Sequence, residues 1–137
     1  MNRTLLAVNG TLMRGLELNR NLTGAGATFV REDSTAAVYR LFSIDDRHPA
    51  MLRTTDGKGA SIALEIWDVP LEGLAQVLLG EPPGLCIGKV VLRDGSIVLG
   101  VLGEPFLCEG KTEITQHGGW RAYTEKRNAA TNSRGST

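Results

Sequence analysis

Apolar residues in this chain gather into short runs divided by turn-forming residues, and the period of the runs changes along the sequence. Residues 5–8 (LLAV) are an unbroken apolar run stopped by Asn9-Gly10, the pattern of a buried strand entering a tight loop. Residues 16–22 (LELNRNL) carry helix-compatible spacing that the following GAGA ends. Residues 27–31 and 36–42, rich in Val, Phe and Tyr, predict strands. Residues 44–49 (IDDRHP) predict a turn with His48 at the surface, and Asp56-Gly57 predicts a hairpin. Residues 61–69 (SIALEIWDV) alternate in places and predict a strand. Pro70 then suits the first turn of a helix over residues 71–79, with Leu71, Leu74, Ala75 and Leu78 as its apolar stripe. Gly80-Glu81-Pro82-Pro83-Gly84 must stop that helix. Residues 86–93 and 97–102 predict two strands joined at Asp94-Gly95, a second hairpin signal. Residues 112–123 are compact and aromatic, whereas residues 124–137 lose their apolar content and predict a frayed tail. Roughly seven strands with one or two short helices make this an α+β domain over residues 1–123, dominated by antiparallel sheet.

Composition narrows the function. Fifteen Lys+Arg balance fifteen Asp+Glu, which argues against a nucleic-acid or anionic-membrane partner. At 5% aromatic residues the chain has no material for a base-stacking platform. No run approaches the length of a membrane helix, and the N-terminal segment lacks a secretory pattern, so a cytoplasmic protein is expected. Cys86 and Cys108 show neither metal-ligand spacing nor a disulfide framework, and read as reduced thiols. Glycine is the outlier: 17 residues of 137, against a usual share of about 7%. Such an excess means many turns, or backbone that must approach something closely.

No nucleophile elbow, P-loop, dinucleotide fingerprint or paired-His zinc motif is present. Three positions carry chemistry instead. A strand ending in Asn9-Gly10-Thr11-Leu12 either turns the chain or presents successive N–H groups to a carboxylate or oxyanion. Glu81, forced into an irregular segment between Gly80 and Pro82, is either an exposed loop residue or a part-buried carboxyl able to shuttle a proton. Glu65, interrupting an apolar strand, either faces solvent or is buried and needs a cation, which Arg40 or Arg121 could supply. His117, just before Gly118-Gly119-Trp120, is a further candidate for proton transfer.

The motifs NGTLMRG, TAAVYRLFSI, HPAML and ALEIWDVP, with the helix after them, resemble the γ-glutamylcyclotransferase-like superfamily. More closely, LELNRNLTGAGATFVRE, PPGLCIGKVVLRDGSIVLG and EITQHGGWRAY are similar to the C-terminal domain of allophanate hydrolase, a resemblance spanning about residues 5–123. It implies a mixed, mostly antiparallel β-barrel or sheet with one cleft and no cofactor or metal. In the superfamily a glycine loop holds the substrate carboxylate and a Glu moves protons. Counting from the strand glutamate matched to Glu65, that Glu falls on Glu81. With the residue reading added, the candidate ligand-binding set is Asn9, Gly10, Thr11, Leu12, Glu65, Arg40, Arg121 and Tyr123. The catalytic candidates are Glu81 and His117, the latter standing where the family more often has an apolar or aromatic residue. Two departures stand out. Asn9 replaces the loop tyrosine of the cyclotransferases, and Leu12 stands where the allophanate hydrolase domain commonly has His.

Three readings follow from the resemblance. The first is a cleft acting on a small carbamate or amide carboxylate, with breakdown of N-carboxycarbamate to ammonia and carbon dioxide in nitrogen metabolism as the family reaction. The second is a non-catalytic module docking on a separate amidase, and the third a γ-glutamylcyclotransferase. Self-association is compatible with all three.

Overall fold

The first apolar run becomes the spine of the protein. In the computed structural model, which describes residues 2–135, strand β1 (Arg3–Val8) pairs antiparallel with β5 (Ala63–Pro70) and parallel with β7 (Ile97–Gly103). With β2 (Thr28–Ser34) beyond β5 and β6 (Leu85–Val91) beyond β7, they form a five-stranded sheet in the order β2-β5-β1-β7-β6. Strands β3 (Tyr39–Ile44), β4 (His48–Arg53) and β8 (Thr112–Glu113) form a second, three-stranded sheet in the order β4-β3-β8. Leu6, Ala7 and Val8 are all buried, as are Leu64, Glu65, Ile66 and Trp67 across from them. Both faces of these strands are covered, which is why they read as continuous apolar runs and not as alternation. The sheets do not close into a barrel.

Four helices decorate this frame: α1 (Asn19–Gly24), α2 (Leu71–Leu79), α3 (Pro105–Cys108) and α4 (Trp120–Gly135). Helix α2 has the predicted bounds, starting beyond Pro70 and capped at Gly80 before Pro82-Pro83, but its buried residues are Gly73 and Val77, while Leu71 and Ala75 of the predicted stripe are exposed. Helix α1 starts later than its spacing suggests. Residues 16–18 before it are taken up by loop bonds, including Leu18 N to Thr11 O at 2.9 Å, and Asn19 at the helix start donates from Nδ2 to Leu12 O at 2.8 Å.

Of the two hairpin signals one closes a hairpin, and the turn predicted over residues 44–49 closes another. Asp94-Gly95 does close a hairpin, β6–β7, with Val91 opposite Ile97. Asp56-Gly57 does not, because it lies in the connection from β4 to β5, which belong to different sheets. The β3–β4 hairpin turns instead at residues 45–47, where Asp45 and Asp46 take positive φ values of 55° and 58°. Aspartate tolerates this left-handed conformation better than most residues, and a turn of this kind carries no glycine signal.

The tail differs most from expectation. Where residues 124–137 predict a frayed end, α4 continues through Gly135, and residues 136–137 lie outside the described ones. The segment is polar, but it contains strong helix formers and is fastened to the β3–β4 turn. Tyr123 donates its hydroxyl proton to Asp46 Oδ1 at 2.5 Å, and Arg127 Nη1 lies 3.4 Å from the same carboxylate. The Ser43 and Tyr123 hydroxyls hold the Asp46 carboxyl below the ordinary range. We expect Tyr123→Phe to cost roughly 0.5–1 kcal/mol, the value of a partly exposed charge-assisted hydrogen bond. Amide exchange should then quicken at residues 45–47 while the five-stranded sheet is unaffected. Among the described residues no helix is long and apolar enough to cross a membrane.

Candidate functional site

The chain after β1 must turn sharply, and Gly10 makes the turn possible by packing directly on Pro49. A Cβ placed there would sit 2.6 Å from Pro49 Cδ, so no side chain fits unless the β4 end moves. Asn9 pins the start of the loop by donating from Nδ2 to Val101 O at 3.0 Å. The loop's far end is held by Glu65, which is 2% exposed. Its carboxylate accepts from Arg14 N at 2.9 Å, Arg14 Nε at 3.1 Å, Trp67 Nε1 at 3.1 Å and Arg121 Nη2 at 3.4 Å. Between these two anchors Met13 N bonds to Gly10 O, but the N–H groups of Gly10, Thr11 and Leu12 have no acceptor among the described residues.

Those residues line a small inner cavity together with His48, Pro49 and Glu81. The space at its centre is about 10 Å³, roughly the room one water needs. An outer cleft of about 780 Å³ adjoins it, lined by Glu17, Asp45, Arg47, Pro82 and Leu107 among others, and sharing Thr11 and His48 with the inner cavity. A small molecule fits in the outer cleft. Only a compact head group reaches inside.

Glu81 is the most unusual group in this arrangement. Among the described residues its Oε2 is the one fully buried side-chain oxygen or nitrogen without a hydrogen-bond partner. The other oxygen, Oε1, is not sealed in, and the residue lines the cavity. The end of α2 and Pro82 force the residue into this position, with Glu81 N still bonded back to Leu78 O at 3.1 Å. Burial, with no compensating cation, pushes the carboxyl up from 4.5 to about 7. A carboxyl that changes charge near neutrality can give or take a proton at ordinary pH.

The candidates named from sequence thus divide. Asn9, Gly10, Thr11, Leu12 and Glu81 converge on one cavity. Glu65, Arg121 and His117 line a different cavity that shares no residue with it. Arg121 does reach Glu65, but Arg14, visible in NGTLMRG yet not singled out there, is the closer partner. Arg40 does not reach Glu65 at all. It forms a two-pronged pair with Glu113 at 2.6 and 3.0 Å, tying β3 to β8. Tyr123 acts on the outer cleft only through Asp46. His117 stacks edge-on against Tyr123 with ring centroids 5.2 Å apart. His48, placed at the surface by its polar neighbours, is instead buried at the junction of cavity and cleft. Cys86 and Cys108 are free thiols, both pushed up by burial.

Because the Gly10 loop rests on Pro49, we expect Gly10→Ala to displace the end of β4 and to cost about 1–3 kcal/mol, as overpacking does. Denaturant unfolding measures that loss, and disappearance of ligand binding at stability the protein can spare would show that the cavity closed.

The mixed, mostly antiparallel α+β architecture is a γ-glutamylcyclotransferase-like fold. Within that class the chain belongs to the allophanate hydrolase C-terminal domain family, whose model matches residues 4–125. It is 33% identical over 131 residues to urea amidolyase of Saccharomyces cerevisiae, covering 88% of this chain but 7% of that protein. Among solved structures, a uropathogenic E. coli-specific protein superposes with a TM-score of 0.89 at 60% identity, covering 91% of this chain and 98% of the other. Allophanate hydrolase of Kluyveromyces lactis superposes with a TM-score of 0.86 at 31% identity, covering 92% of this chain and 22% of that one. The matched region is thus a small part of the yeast enzymes.

Proposed function

We propose that a small carbamate or amide sits in the outer cleft with one carboxylate oxygen directed into the inner cavity, and that Glu81 passes a proton to its nitrogen. The single observation behind this reading is the partnerless Glu81 carboxyl beside three unengaged backbone N–H groups. The N–H groups suit an anion, and the carboxyl, neutral below about pH 7, can approach an anion without repulsion. The family points to N-carboxycarbamate as the substrate. In that reaction the C–N bond breaks, its electron pair stays on nitrogen, and the nitrogen takes the Glu81 proton. Carbon dioxide leaves, and carbamate remains. Solvent reprotonates Glu81, and carbamate with a second proton gives ammonia and carbon dioxide. The charge-balancing role expected of Arg40 or Arg121 passes to Arg47, the cation lining the outer cleft.

The test is ammonia and carbon dioxide release when the chain is added to an amidase that generates N-carboxycarbamate from allophanate. Acceleration beyond the spontaneous rate is expected, and a rate equal to that without the chain refutes the reading. A second reading, a module that docks on a separate amidase, draws on one observation: in the yeast relatives the matching region lies within a much longer chain. Co-sedimentation with such an amidase tests it, with a complex expected and independent sedimentation counting against it.

A further inference from the structure

His48 is the cavity residue that the reading above leaves without a task. It opens β4 opposite Ile44 and is 8% exposed. With Thr11 it is one of the two residues that line both inner cavity and outer cleft, so it stands at the neck between them. Its position is set rigidly. The turn before it is held through Asp46 by Ser43 Oγ at 2.6 Å, by Tyr123 and by Arg127, and Pro49 after it packs on Gly10.

The ring's hydrogen bonding decides what it offers a ligand. His48 Nδ1 lies 3.0 Å from Pro49 O, and a carbonyl oxygen can only accept, so Nδ1 carries the proton. In the neutral ring the lone pair is then on Nε2. That nitrogen has no protein partner among the described residues, yet it is not sealed, since the only buried partnerless side-chain atom is Glu81 Oε2. The residue that carries it lines both the inner cavity and the outer cleft. The other groups that line the inner cavity are the free N–H donors of residues 10–12 and two that both donate and accept, the Thr11 hydroxyl and the Glu81 carboxyl. The neutral His48 ring with its proton on Nδ1 offers at Nε2 an acceptor alone.

We propose that His48 Nε2 is the acceptor that selects, among small carboxylates, those carrying an N–H next to the carboxylate-bearing unit. The assignment rests on the proposed function and deepens it by naming what distinguishes an amide or carbamate from its oxygen isosteres. An ester or acid oxygen in the same place sets lone pair against lone pair and leaves Nε2 unpaired. A site built to hydrogen-bond a ligand N–H rejects analogues without it far more strongly than an apolar pocket rejects a shape change. No bond is made or broken in this step.

Calorimetric titration with malonamate and monomethyl malonate tests it, because both carry one carboxylate on a similar frame and only the first has an N–H. The wild-type chain is expected to prefer malonamate by about 10–100-fold. His48→Phe, which keeps the ring volume, should bring the two affinities to within about threefold by weakening malonamate alone, and His48→Gln, which keeps an acceptor oxygen, should restore part of the preference. Equal affinities in the wild-type chain, or a preference unchanged in His48→Phe, overturn the assignment while leaving the carboxylate cavity standing. Failure of the wild-type chain to bind either compound overturns the cavity reading and the assignment with it. Should His48→Phe not fold, His48→Leu carries the same expectation, and a preference unchanged in it overturns the assignment equally.

Discussion

Glu81→Gln is expected to lower ammonia release from N-carboxycarbamate by about 10²–10⁴-fold, the usual worth of a positioned general acid. The amide fills the same volume and cannot give up a proton at nitrogen. The same substitution should stabilise the protein, and the pH dependence of that effect carries the sign. In the unfolded chain the carboxyl ionises near 4.5, and in the folded protein burial holds its proton to about 7. Below 4.5 both states are protonated and the favourable burial of the neutral acid is fully present. Between 4.5 and about 7 the unfolded chain ionises first, and stability falls. Above about 7 the folded protein must hold a charge with no partner, and the loss is complete. The interval between 4.5 and about 7, at about 1.36 kcal/mol per pH unit, bounds the effect at roughly 3 kcal/mol. Because Oε1 retains contact with the cavity, about 1–2 kcal/mol is the expected loss. Denaturation curves of wild type and variant should therefore diverge as pH rises from about 4.5 to about 8, the variant becoming the more stable. Parallel curves would mean that Glu81 titrates as an ordinary carboxylate, and the proton-transfer role would go with it.

Glu65→Ala should be the most damaging single change to the fold near the cavity, at about 3–4 kcal/mol. It would strand the Trp67 indole N–H and the Arg14 backbone N–H inside the protein, and would leave Arg14 and Arg121 without their shared anion. Arg14 and Arg121 are 45% and 41% exposed, so water recovers much of the lost ion pairing, and the buried N–H groups account for most of the cost. Glu65→Gln separates these contributions. Its one remaining acceptor oxygen can still serve the Trp67 and Arg14 N–H groups that converge on Oε1, while its amide opposes the two guanidinium groups. We expect it to cost about half as much. Urea unfolding of the two variants decides the matter: equal losses would show that charge, and not the buried N–H groups, makes Glu65 necessary. Ligand affinity should fall in both, because Arg14 N is the far anchor of the loop that lines the cavity.

These two glutamates show how far each level of description reaches. Both were visible in the sequence as anomalies, one carboxylate inside an apolar strand and one squeezed between glycine and two prolines. The strand run around Glu65 left two possibilities open, solvent or burial. Covering of both faces of β5 chose burial, because Leu64, Ile66 and Trp67 are buried on either side of it. The choice of cation was not legible. Arg14, Arg40 and Arg121 are equivalent in sequence terms, and only the path of the loop brings Arg14 within 3.1 Å while β8 takes Arg40 for Glu113. Similarly, the grouping of His117 with Glu81 failed because adjacency to a glycine-tryptophan motif says nothing about which side of the sheet a short 3₁₀ turn will face.

What the sequence by itself determined is what depends on neighbours along the chain. The central strand, helix α2 with its forced ending, the β6–β7 hairpin and the tight loop after β1 all follow from period, proline and glycine acting locally. The glycine excess resolves in the same way at Gly10, where the residue is needed by a contact as well as by a turn. Tertiary structure alone decided the rest. It buried His48 at a neck, left Glu81 without a partner, and turned a polar tail into a helix that clamps the β3–β4 turn. The reason is common to all three. Burial and partnership depend on which segments distant in the chain arrive beside one another, and a low-dielectric enclosure, not residue type, is what moves a carboxyl from 4.5 to about 7.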